Sequence, residues 1–185
     1  LLLLQATVLR ELERVDEAST HAALAERLAD VQQDRETRVS AALLRARLAL
    51  DVSRPDRVRA VLAHLDAGPE GSLTAPEDCL VNAYLAVADA HSGDTARAGQ
   101  RVMRVRELIE HMDLGSSEAV FGINCITSVV GDIRGRWDEA STLMQRMATR
   151  PDLPRLHRGL VRANLAMVKL ELGAIADHRD PGNHQ

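Results

Sequence analysis

The chain has 185 residues, 45% of them hydrophobic and 27% charged, with a net charge of −4, a balance ordinary for a globular chain that buries a core. No apolar run approaches the roughly 18 residues needed to cross a bilayer as a helix, and basic residues alternate with acidic ones instead of gathering into a patch. A membrane span and direct nucleic-acid contact by this segment are therefore both excluded. Cys79 and Cys125 stand far apart with no CxxC spacing, which points to buried thiols in a reducing, cytoplasmic setting and not to a disulfide scaffold.

From the start of the chain, Leu1 to Leu4 read as the beginning of a helix and not as a signal peptide. No basic segment precedes them, and Gln5, Thr7 and Arg10 follow where a small-residue cleavage site would stand. The lack of an initiating Met and the polar stretch 177–185 suggest a segment of a longer protein. Apolar residues then recur at helical spacing through almost the whole length, with no β-type alternation, so the class is all-α. Capping-box patterns mark helix starts at Ser53-Arg54-Pro55-Asp56 and Thr74-Ala75-Pro76-Glu77, and Asp94 and Asp152 are further candidate N-caps.

The most informative phrase is Gly135-Arg136-Trp137-Asp138-Glu139-Ala140, a tight turn leading into a helix whose alanine lets a neighbour approach closely. Val15-Asp16-Glu17-Ala18 echoes its second half, and Gly93-Asp94-Thr95-Ala96-Arg97-Ala98 echoes its turn and alanine. With Val15, Val58, Thr95, Trp137 and Ile175 as the first core residues of successive second helices, the spacings are 43, 37, 42 and 38. Nine residues before these anchors stand Ala6, Ala49, Ala86, Ser128 and Ala166, all small. A repeated helix pair of about 40 residues follows, giving about four and a half units.

These phrases resemble the middle of a tetratricopeptide repeat. That repeat usually runs about 34 residues and carries several aromatic rings, whereas this chain has only Trp137, Tyr84 and Phe121. Longer, aromatic-poor, Arg-rich units look like the repeat region of large bacterial LuxR-type transcription regulators of the maltose-regulator kind. The resemblance covers residues 1–176 and implies a right-handed superhelical array of antiparallel helix pairs, followed by a flexible tail at 177–185. In that family an ATPase module with GxxxxGK[ST] precedes the repeats and a helix-turn-helix follows them; neither pattern occurs in this segment.

Reactive side chains do not assemble into a catalytic pattern. His178-Arg179-Asp180 opens like a kinase catalytic loop, but His184 occupies the place of the required Asn. The seven histidines form no HExxH and no paired ligand set. Glu107, Glu110 and Asp113 read as a solvated helix face. The expectation is a binding module with no enzymatic activity, metal or cofactor.

By resemblance to tetratricopeptide grooves, the first helices line the concave surface and carry the binding residues. Those of the third to fifth units are Tyr84, Val87 and His91, then Cys125, Val129 and Asp132, then Met167 and Leu170. Residues 80–90 are apolar on nearly every side, interrupted by Asn82 and Asp89. The surface then accepts a peptide helix, a small effector or a second protomer, unless the array closes over it. Asn82 and Asn124 lie thirteen residues before their anchors and Asn164 is shifted by two, a pattern that fits either ligand contact or bridging of neighbouring helices.

Overall fold

The structure, a computed structural model, describes residues 1–68, 72–112, 122–125, 129, 131, 136–149 and 155–179. Within these, the side chains of 143, 155–157, 160, 171 and 173–179 are not described. Among the described residues the regular structure is entirely helical. In chain order the helices are α1 (Leu2–Glu11), α2 (Val15–Gln32), α3 (Arg35–Asp51), α4 (Pro55–Asp66), α5 (Ala75–His91), α6 (Thr95–His111), α7 (Trp137–Ala148) and α8 (Arg155–Arg179). A short helical stretch at residues 122–125 lies between α6 and α7.

The helix pairs follow one another in a row. Each helix from α1 to α6 packs on the next, and α7 packs on α8. The first helix of each later pair also reaches back, α3 onto α1 and α5 onto α3. The core is accordingly stepped. One cluster joins Ala6, Ala18, Ala22 and Leu48 of the first three helices. A second joins Ala46, Val58, Leu62, Val81 and Tyr84 across α3, α4 and α5. The third runs from Cys79 and Val105 through Ile123 and Val129 to Met144, Val161 and Val168. Complete burial of a side chain such as Leu62 contributes about 1.5–3 kcal/mol.

The helix starts fix a stricter register than the sequence suggested. The second helices α2, α4 and α6 begin at Val15, Pro55 and Thr95, two steps of 40 residues, and α7 follows at Trp137 after 42. The anchor of the second unit is thus Pro55 and not Val58, which stands one turn inside the helix. With that correction the fourth residue of each second helix is Ala18, Val58, Ala98 and Ala140, and the eighth is Ala22, Leu62, Val102 and Met144, all buried. The first helices keep the same step: α3 starts at Arg35, α5 at Ala75 and α8 at Arg155, twice 40 residues further on. The small residues before the anchors become Ala6, Ala46 and Ala86, each buried.

The turns inside the pairs explain this regularity. Glu13, Ser53 and Gly93, spaced by 40, all have positive φ, of 59°, 54° and 83°. In each case that residue's N–H donates to the carbonyl three before it, and the next N–H donates to the carbonyl five before it, as in Arg14 to Leu9, Arg54 to Ala49 and Asp94 to Asp89. These paired bonds close the helix end and reverse the chain in one fixed geometry. Ser53 therefore ends α3 in the left-handed conformation and does not cap α4, whose N-cap is Arg54. The Thr74–Glu77 capping box is present, and Asp94 accepts from Arg97 N at 3.0 Å. Asp34, which the sequence reading passed over, caps α3 through Thr37 N at 3.0 Å. Asp152 lies outside the described residues.

The C-terminal end differs from expectation. Ile175 begins no second helix, because α8 continues unbroken from Arg155 to Arg179 and takes in the first three residues of the stretch read as a tail.

Candidate interaction surfaces

The structure separates the sequence-predicted groove residues. Tyr84 is buried in the second core cluster, Cys125 and Val129 are buried in the third, and Val87 packs at the margin of that cluster. His91 is exposed at the end of α5, and Met167 and Leu170 are exposed on α8. Asp132 lies outside the described residues. The apolar helix α5 is covered on most sides by the chain itself, packing against α3, α4 and α6, with Ile123, Cys125 and Val129 in the same core.

A polar strip runs along the first helices beside these residues. Asp51 of α3 accepts from Arg10 Nε of α1 at 2.8 Å and from Arg47 Nε at 3.3 Å. Arg47 in turn hydrogen-bonds Tyr84 and lies near enough to Cys125 to act on its ionisation. Burial dominates at both groups: it pushes the Tyr84 hydroxyl up to about 12 and raises the Cys125 thiol, with Arg47 opposing in each case. A thiol so raised is a poor nucleophile near neutrality, in keeping with the packing role read from the sequence.

The side chains that sequence reasoning missed lie on the opposite flank of α5. Asp89 and Arg101 are buried. Arg101 donates from Nε to Asp89 at 2.9 Å, from Nη1 and Nη2 to both carboxylate oxygens of Asp66 at 2.8 Å, and from Nη1 to Asn82 at 3.2 Å. Arg59 Nη1 approaches the other Asp89 oxygen at 3.5 Å. Asn82 continues the chain to Asp78, which also accepts from Arg104 at 2.7 Å. The hydrogen bond from Arg101, opposed by burial, holds the Asp66 carboxyl below its ordinary range. For Arg101, burial is the largest influence and lowers its pKa, but the two carboxylates outweigh it and the net shift is upward. The visible signal for this network was Asp89, a carboxylate within an otherwise apolar helix; its partners Arg101 and Arg59 lie 12 and 30 residues away and carry no local pattern.

The same register position is filled differently one step earlier. Ser19, Ala49 and Val61 stand where Arg59, Asp89 and Arg101 stand in the next step. Here the structure leaves a cleft of about 280 Å³, bordered also by Asp16, Arg45 and Arg57. A wider cleft of about 650 Å³ adjoins it, lined by Arg27, Asp30, Arg38 and His64, with Glu26 paired to Arg45. Both clefts lie among α2, α3 and α4, away from the residues the sequence nominated.

Asparagines bridge helices as one of the two expectations held. Asn164 Nδ2 of α8 donates to Asn124 Oδ1. Asn124 and Asn164 lie 40 residues apart, one step of the first helices, while Asn82 and Asn124 both stand thirteen residues before the starts of α6 and α7. The offset of Asn164 counted from Ile175 has no basis, because Ile175 begins no helix.

Among the described residues no group of His, Cys, Asp and Glu is arranged to hold a metal ion, and no helix is long and apolar enough to cross a membrane. Neither a family model, nor a curated protein, nor a solved structure matches the chain.

Proposed function

We propose that the chain is a helical-repeat interaction module, the sensory or partner-binding segment of a larger bacterial transcription regulator of the LuxR type. The observation that supports this most is the 40-residue register. Successive helix pairs bury the same positions against one another, and the first helices are left in line. Such an array presents a continuous surface assembled from corresponding positions of successive units, suited to holding a peptide or an effector and not to performing chemistry on it. On this reading the right-handed superhelix of the tetratricopeptide class carries its ligand along the first helices. There Arg47, Asp51 and His91 supply polar contacts, and Met167 and Leu170 supply apolar ones.

Reading the gene on both sides of the segment tests the regulator role directly. A GxxxxGK[ST] loop upstream and a helix-turn-helix downstream support it, and a gene lacking both sinks it. For the surface, an array of helical peptides is probed with the labelled chain and with the Met167→Asp/Leu170→Asp variant. Loss of binding with unchanged helical circular dichroism is the expected result, and equal binding by a folded variant rules the surface out. The exposure of Met167 and Leu170 also favours a second reading, a free-standing adaptor or homodimerisation domain with no transcriptional role.

A further inference from the structure

We infer that the outer face of α1 is a repeat interface built to receive a further helix pair of this chain's own register, stacked on its N-terminal side. The argument rests on position. In the second unit Ala41, Leu44 and Leu48 of α3 turn toward the preceding pair; Ala41 and Leu48 are buried, and Leu48 joins the core of α1 and α2. One step on, Val81, Tyr84 and Ala88 of α5 do the same against α3 and α4. In α8, Val161 and Val168 hold the corresponding places and are again buried. At the start of the chain these places belong to Leu1, the N-cap of α1, and to Leu4 and Val8 within it, which are 92%, 65% and 50% exposed.

The three residues form one stripe, because positions i, i+3 and i+7 of a helix share a face. That stripe lies opposite Ala6, which packs inward. α2 carries a second exposed stripe of Leu24, Leu28 and Val31. It runs beside Ala23, Arg27 and Asp30, which border the cleft shared with α3 and α4. Six aliphatic side chains on two adjoining helices make a patch larger than isolated surface leucines would. Its occupant follows from the interfaces already present: α3 seats on both α1 and α2, and α5 on both α3 and α4. The face of α1 thus lacks the one kind of partner its equivalents possess.

The test adds that partner. A copy of residues 35–80 is fused ahead of Leu1, so that Leu1 follows Leu80 as Val81 does in the chain. Hydrogen exchange is then measured in α1, with the melting temperature alongside. The expected result is a single cooperative transition at a higher temperature, with exchange of the α1 amides slowed by about tenfold or more. Carrying Leu4→Asp and Val8→Asp in the fusion should return α1 to its original exchange rate. These two substitutions in the unfused chain serve as the folding control, since the residues they replace are exposed. An appended segment that exchanges like unfolded chain, or unchanged exchange in α1, overturns the inference. So does a concentration-dependent dimer of the unfused chain that Leu4→Asp and Val8→Asp dissociate, because the occupant is then a second copy.

Discussion

In the α1–α2 pair the buried positions belong to Ala6, Ala18, Ala22, Ala25 and Ala29, whereas the α5–α6 pair buries Cys79, Tyr84, Val102 and Val105 and draws Asp89 and Arg101 inside with them. The two pairs share a register and a turn geometry but stand at different places in the row. The first packs on α3 through alanines that allow close backbone approach. The third is enclosed between neighbours and has filled its inter-unit space with a paired carboxylate and guanidinium. Units of a repeat array are therefore equivalent in backbone and not in energetics.

Removing the buried pair from the third unit should produce the largest effect. Arg101→Ala strands Asp89 with only the longer Arg59 contact and should cost about 3–5 kcal/mol in urea denaturation. The second unit shows the apolar alternative, Val61 and Ala49 at the same positions. Arg101→Val combined with Asp89→Ala should therefore recover most of that loss, since replacing a buried ion pair as a whole is often neutral. If the double variant is no more stable than Arg101→Ala, the two units do not have interchangeable solutions.

Acidification should reveal the same contrast at intermediate size. Because the folded pKa of Asp66 is depressed, its contribution is present above its unfolded value, near 3.9, and is lost as pH falls through the lower folded value. Melting temperature followed between about pH 5 and pH 2 should fall more steeply for the natural chain than for Asp66→Asn. Identical slopes would remove Asp66 from the account.

The smallest effects concern the turns. Gly93 adopts positive φ without penalty, whereas Glu13 and Ser53 adopt it with a side chain attached. Ser53→Gly and Glu13→Gly should each stabilise by about 0.5–1 kcal/mol, and Gly93→Ala should destabilise by a similar amount. Thermal melts of the three variants would show whether the turns are equivalent.

The helical class, the pairing and the 40-residue period were legible in the sequence, because small residues at a fixed offset are a local pattern. The anchor of the second unit was misplaced by one turn, since Pro55 is not apolar and Val58 is; the turn bond pattern, invisible in composition, sets the true start. The continuation of α8 was missed because Ile175 resembles an anchor by spacing alone. For the candidate surface, the sequence identified an apolar helix but not what covers it. Burial of Tyr84, Cys125 and Val129 depends on neighbours up to tens of residues away, and Arg101 joins three helices that no local signal connects.

The arginine and aspartate pairing also bears on the order in which the units assemble. Similar units can stack in the wrong sequence during folding, a recognised hazard of repeat chains. If the α5–α6 pair docked on α1–α2, Asp89 would face Ser19 where Arg59 should be, leaving a buried carboxylate with one cation fewer. Arg59 and Asp89 thus give the seam between the second and third pairs a charge contact that the seam between the first and second, with Ser19 and Ala49 at those places, does not have.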